Sequence, residues 1–160
     1  EPLPVGVSTR HFRPRELHKG WGCCVPCEVW SRGCILVEFY TGEALFQTHD
    51  NLEHLAMMEM VLGKLPDDYR RKAETYKPEY FYHGRLDYPR PDTSKQSRRF
   101  VQSMKPLQDI LASPPAYAKH HHAFVSLLRR LLEFDPAKRI TVEEALSHPY
   151  FQLDPHDFPP

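Results

Sequence analysis

The sequence predicts a mainly α domain that carries one irregular surface insert. Three observations lead there. First, Glu28–Tyr40 holds eight apolar residues among thirteen, and they do not keep to one stripe. A helix that is apolar almost all round belongs in the middle of a domain. Second, Phe124, Leu127, Leu128, Leu131 and Leu132 recur at helical spacing and give the clearest periodicity in the chain. Third, residues 77–104 break that style, with an aromatic Tyr80–Tyr88 stretch followed by a polar, proline-bearing run.

The totals bound the answer. A chain of 160 residues with 41% hydrophobic content can build one domain with a real core. Lys+Arg and Asp+Glu are both 21, so no global field points to nucleic acid or to a membrane surface. Sixteen prolines are about twice the usual share, which favours short helices and long connections. The seven glycines include no glycine-rich phosphate loop. The chain opens on Glu1 rather than methionine, as expected for part of a longer protein. No signal peptide, lipidation motif or spanning segment is legible, so cytosol or nucleus is the default expectation.

All four cysteines lie between residues 23 and 34. Cys24 and Cys27 form a CxxC pair, but a zinc site needs about four ligands and no second pair follows. These cysteines read as ordinary thiols, with Cys34 a small core residue. No metal ligand set is expected.

Residues 1–25 carry no periodicity, and Pro14 and Gly20 break any helix there. Pro26 suits the first turn of the central helix, and Gly42 its far end. Gly33 at mid-helix costs about 1 kcal/mol against alanine, which suggests a backbone passing close by. Residues 41–49 read as a loop. Asp50 then caps a helix, with Glu53 in capping-box position, and Gly63 and Pro66 end it. Residues 67–76 read as a short, charged, exposed helix. Residues 80–88 read as a hairpin and 89–99 as a loop. Pro106 opens a short helix through Leu111. The 124–132 helix ends at Asp135-Pro136, and Thr141 with Glu144 makes a second capping box. The central helix should be the most buried element. Val29, Trp30, Ile35, Leu36 and Phe39 should share one core with Leu128, Leu131 and Leu146.

Several stretches together resemble one family. Asp135-Pro136-Ala137-Lys138-Arg139-Ile140-Thr141 and Glu144-Ala145-Leu146-Ser147-His148-Pro149-Tyr150-Phe151 look like the end of a eukaryotic protein-kinase domain. Glu28-Val29-Trp30-Ser31-Arg32-Gly33-Cys34 resembles the helix that anchors the kinase large lobe. Thr9–Arg13 resembles the loop that receives the substrate. Glu53-His54-Leu55-Ala56-Met57-Met58-Glu59 is similar to the motif that names the LAMMER kinases, a branch of the CMGC group. Tyr80–Asp87 and Lys105-Pro106-Leu107 look like that branch's insert. The sequence departs from the pattern in four places. Pro14-Arg15-Glu16 stands for A-P-E, and Gly20-Trp21 falls two residues early. Glu28 replaces an aspartate, and Met60 replaces the arginine that ends the motif.

The resemblance implies a large-lobe portion at 1–151, with an insert at about 77–104 and a tail at 152–160. It implies a two-lobed parent enzyme that moves the γ-phosphoryl of ATP, with Mg²⁺, onto Ser, Thr and sometimes Tyr. Substrates would be Ser/Arg-rich splicing factors in the nucleus. Residues 1–160 contain no G-x-G-x-x-G, V-A-I-K, H-R-D or D-F-G. The isolated chain is therefore expected to have no catalytic residues and no cofactor of its own. By resemblance, Thr9 and Arg13 belong to the substrate loop. Glu16 and Arg139 form a structural ion pair, and Glu28, Trp30 and Gly33 anchor the central helix. Expected partners are the N-terminal part of a kinase or another protein, not nucleic acid or membrane. Two other readings remain: a non-catalytic interaction module derived from a truncated kinase gene, and an unrelated helical adaptor.

Overall fold

The computed structural model describes residues 25–111 and 118–154. Thr9, Arg13, Glu16 and Cys24 lie outside the described residues, as do the 13–25 departures up to residue 24. In order, the elements are α1 (Val25–Thr41), α2 (Asn51–Leu62), α3 (Asp67–Tyr76), a 3-10 turn (Pro78–Tyr80), β1 (Phe81–Tyr82), β2 (Arg85–Leu86), α4 (Lys95–Ser103), α5 (Leu107–Ile110), α6 (Ala118–Leu131), α7 (Val142–Leu146) and a second 3-10 turn (Pro149–Gln152). The mainly α expectation holds, and the only sheet among the described residues is the two-stranded hairpin.

α1 crosses α6 at the centre. Its buried residues are Cys27, Val29, Trp30, Gly33, Cys34 and Val37, which form a stripe and not a full girdle. Phe39 therefore departs from expectation: it is 81% exposed. It sits two residues past Val37, about 200° round the helix, and so points the other way. Leu146 departs too, at 62% exposed, because it ends a one-turn helix at the rim of the lobe. Val29, Trp30, Leu128 and Leu131 are buried as expected, Leu36 packs on the core from its edge, and Ile35 is only partly covered.

α2, not α1, is the most buried helix: seven of its twelve residues are buried, against six of seventeen. An aromatic series explains how the two interlock. Trp30 stacks on Phe46 at 6.4 Å and packs on Phe134 at 6.3 Å. Phe134 meets Tyr69 of α3, and Phe46 meets His54 of α2. Ring pairs at these separations contribute about 0.5–1.5 kcal/mol each beyond their burial. His54 is 1% exposed within this series.

The neighbour at Gly33 also differs from the expected backbone. A Cβ there would lie 2.8 Å from Leu132 Cδ2 and 3.1 Å from Leu131 Cβ, so side chains at the end of α6 fill the gap. The hairpin forms as the 80–88 pattern predicts, with Phe81 opposite Leu86 and Tyr82 opposite Arg85. His83 and Gly84 take positive φ of 48° and 73°, the geometry a two-residue hairpin turn needs. The 89–99 loop is a correction: α4 begins within it. Ser94 caps that helix by accepting a hydrogen bond from the Ser97 N–H at 3.0 Å. Arg98 then donates to the Thr93 and Arg90 carbonyls, tying the helix to the segment before it. The Thr141–Glu144 capping box is complete at the start of α7.

Candidate functional site

Two constructions stand out, one under α1 and one where α2 meets the 77–104 insert. The first is centred on Arg139, which is 5% exposed. Its guanidinium donates to the Glu133 carbonyl at 2.9 Å, the Pro26 carbonyl at 2.7 Å and the Phe134 carbonyl at 3.3 Å. It thereby fastens the 133–139 loop to the first turn of α1. The fork of five donors on Arg suits three diverging acceptors, where a lysine would be a single point charge. Asp135 supports the same loop by accepting from the Ala137 N–H at 3.0 Å. Glu16, the expected partner of Arg139, lies outside the described residues.

Around this anchor the other central-helix residues divide. Trp30 is buried beneath the Arg139 guanidinium, and Gly33 is buried against Leu131 and Leu132. Glu28 is turned outward. Its side chain is 55% exposed and pairs with Arg32 at 3.8 Å, a surface contact of little energetic weight. Burial pushes the Cys34 thiol far above its ordinary range, and so it stays a neutral core group. Cys27 and Cys34 are both buried. Among the described residues, no three His, Cys, Asp or Glu side chains gather as a metal site would require.

The second construction is centred on Glu53. The Asp50 carboxylate accepts from the Glu53 N–H at 2.6 Å, which is half of the anticipated capping box. The Glu53 carboxylate does not return to the Asp50 backbone. One oxygen accepts from the Thr48 hydroxyl at 2.5 Å, and the other accepts from the Ser97 hydroxyl of α4. Thr48 in turn accepts from the Asp50 N–H at 3.1 Å, supplying what the missing half of the box would have given. Ser97 Oγ is also 2.7 Å from the Tyr88 hydroxyl. Since the Ser97 proton goes to Glu53, the Tyr88 hydroxyl must be the donor in that pair. The result is a directed relay, Tyr88 to Ser97 to Glu53, that spans the insert and α2. The sequence reads Glu53 as the capping-box partner of Asp50. Its partner Ser97 lies 44 residues away, and no local pattern could have revealed it.

The rest of the motif is structural. Leu55, Ala56, Met57 and Met58 are all in the core, and Glu59 accepts from the Leu65 N–H at 3.0 Å beyond the helix end. A cleft of about 460 Å³ opens beside the Glu53 corner, bordered by Asp50, Glu53, Tyr88, Arg90, Ser94 and Ser97. A smaller apolar groove of about 160 Å³ lies between α1, α6 and α7, with Leu36, Leu146 and Phe151 on its walls. No helix among the described residues is long and apolar enough to cross a membrane.

Comparison with known proteins gives this geometry a setting. The family model for the protein kinase domain matches residues 2–151. Serine/threonine-protein kinase AFC2 of Arabidopsis thaliana is 47% identical over 145 residues, covering 91% of this chain and 34% of that protein. Dual specificity protein kinase CLK2 of Homo sapiens is 49% identical over 146 residues, covering 91% of this chain and 28% of that protein. The chain thus spans about a third of the length of these relatives. Among solved structures, a crystallised kinase domain superposes with a TM-score of 0.80 at 30% identity, over 94% of this chain and 42% of that one. The buried Arg139 anchor and the EHLAMME helix sit inside a stretch aligned almost end to end with CLK and AFC kinases, and the chain belongs to the protein kinase domain family, as the C-terminal part of a LAMMER-type large lobe.

Proposed function

We propose that this chain is the substrate-side scaffold of a LAMMER-like protein kinase. The complete enzyme would transfer the ATP γ-phosphoryl to Ser, Thr and Tyr of Ser/Arg-rich proteins in the nucleus. The observation that carries this reading is the unfilled apolar face of an otherwise well-packed lobe. Phe39 stands exposed on the outer side of the central helix, and Leu36, Leu146 and Phe151 wall an open apolar groove between α1, α6 and α7. Exposed apolar features of this kind mark places where more protein belongs. Here the N-terminal part of a kinase is the partner that fits.

ATP and Mg²⁺ do not fit the residues present. Phosphoryl transfer needs a lysine on the phosphates, carboxylate and amide ligands for Mg²⁺ and a base at the acceptor hydroxyl. The sequence has none of the motifs that place them, and the described acidic side chains are committed elsewhere or scattered over the surface. Glu53 holds two hydroxyls, and Glu28 faces solvent. What the chain supplies is form: Arg139 would brace the large lobe, and Thr9 and Arg13 would line the substrate loop.

The test is complementation. Residues 1–160 alone, with Mg²⁺-ATP and an Arg/Ser-rich peptide, should incorporate no phosphate above buffer. Co-expressed with the N-terminal lobe and catalytic loop of CLK2 or AFC2, they should co-purify with them and restore transfer. Activity in the isolated chain that is blocked by an ATP-competitive inhibitor would overturn the reading. So would failure of the two parts to associate.

A further inference from the structure

We propose that Ser97 is a phosphorylation site, and that modifying it unlatches the insert from α2. Nothing in the latch depends on this chain transferring phosphate itself. Glu53, on α2, reaches the insert through the hydroxyl of Ser97, which is held from behind by Tyr88. Removing the Ser97 proton removes the only donor that this relay offers Glu53.

Phosphorylation does that and adds charge. A protein kinase acting here breaks the β,γ-bridging P–O bond of a nucleoside triphosphate and forms an Oγ–P bond. The hydroxyl proton passes to that kinase's base, and a nucleoside diphosphate leaves. The product carries about −1.5 to −2 charge beside the Glu53 carboxylate, and like charges at that range repel strongly in a partly buried setting. The Tyr88 hydroxyl can still donate to a phosphate oxygen, so the insert's own end of the relay survives. The α2 end does not.

Access and destination are both present. Ser97 borders the 460 Å³ cleft, and its neighbours Ser94, Lys95 and Gln96 are exposed. Arg98 and Arg99 follow directly, a basic flank that a modifying kinase can read. Arg90 borders the same cleft, where its guanidinium pairs with Asp87 at 2.9 Å and donates to the Glu79 carbonyl, and a phosphate dianion would compete with Asp87 for that cation. Ser97 is the third residue of α4, where the helix N-terminus tolerates an anion. The phosphate should therefore spare the first turn of α4 while opposing its contact with α2. Released from α2, a nine-residue helix is marginal in water and should exchange its amides quickly.

The experiment installs phosphoserine at position 97 of the 1–160 chain by co-translational incorporation and follows hydrogen exchange. Amides at 95–103 should exchange at least about tenfold faster than in the unmodified chain, while those at 118–131 stay unchanged. In a Glu53→Gln background the same phosphoserine should accelerate exchange by less than about threefold, because the uncharged amide can donate to the phosphate. Phosphoserine at Ser147, exposed and remote from both the relay and the α4 cap, should leave 95–103 unchanged and serves as the control should Glu53→Gln not fold. Unchanged exchange at 95–103 would overturn the latch, and so would equal acceleration from position 147. Undiminished acceleration in the Glu53→Gln chain, or loss of protection throughout α6, would do the same.

Discussion

The Arg139 guanidinium lies over the Trp30 indole, its central carbon 5.1 Å from the ring centroid. The cation is thus held on one side by three carbonyls and on another by a π face, in a site with little water. A desolvated cation–π contact is worth about 2 kcal/mol, and each hydrogen bond to a charged group about 1.5–3 kcal/mol. Arg139→Lys keeps the charge but cannot span the three acceptors. It should lower unfolding stability by about 2–4 kcal/mol through the carbonyls it leaves buried and unmet. Urea denaturation of the two chains reads this directly. A change below 0.5 kcal/mol, at the level of an ordinary surface substitution, would show that the anchor contributes little.

Gly33→Ala pits helix propensity against space. Alanine gains about 1 kcal/mol in a helix interior. The new methyl would stand 2.8 Å from Leu132 Cδ2 and 3.0 Å from Leu132 Cγ, and Leu132 is itself buried. Overpacking of a filled core costs about 1–3 kcal/mol. The expected balance is a loss of about 1 kcal/mol, and a stabilised variant would mean that α6 yields more easily than its burial implies.

His148 should make the lobe sensitive to mild acid. Its Nδ1 accepts from the Tyr150 N–H at 3.1 Å, so the proton of the neutral ring sits on Nε2, facing Ser126 Oγ at 3.1 Å. Burial, and then the nearby Arg130 charge, hold its pKa below the ordinary histidine value. The unfolded chain therefore binds the proton first as pH falls. The stabilising effect is fully present above about pH 6.5 and is lost below it, by at most about 1.4 kcal/mol per pH unit. Urea midpoints at pH 7.5 and 5.5 should differ more for the native chain than for His148→Asn, which keeps a cap but does not titrate. Equal differences would remove His148 as the cause.

Local chemistry was legible in the sequence; orientation toward other elements was not. The Thr141–Glu144 box and the Asp50 cap announce themselves within four residues, and the hairpin is visible in the aromatic run around Gly84. α4 was hidden because its nine residues bury only Val101, so no apolar period marks it. Its one local signal was Ser94 three residues before Ser97, a cap without an acidic partner. Phe39 was misplaced because apolar content reports that a helix is covered and not which side this chain covers. Glu53 was misread for a related reason. A capping-box position and a long-range hydroxyl clamp look identical from the residues around it.

The outward face of α1 yields the last prediction. Phe39 is 81% exposed and Leu146 62%, so neither holds this lobe together, yet both are large and apolar. Substituting a core phenylalanine costs about 3–5 kcal/mol, whereas a surface change away from special features stays within about 0.5 kcal/mol. Phe39→Ser should therefore leave the unfolding midpoint of the isolated chain almost unchanged. It should also reduce self-association, because exposed apolar patches drive contact between copies. Sedimentation velocity should show a smaller oligomeric fraction for Phe39→Ser, and smaller still for Phe39→Ser with Leu146→Ser. In the complemented enzyme the same substitutions should weaken assembly with the N-terminal part, since the face would then be buried. A large loss of stability in the isolated chain would instead place Phe39 in its own core and remove the basis for reading that face as a docking surface.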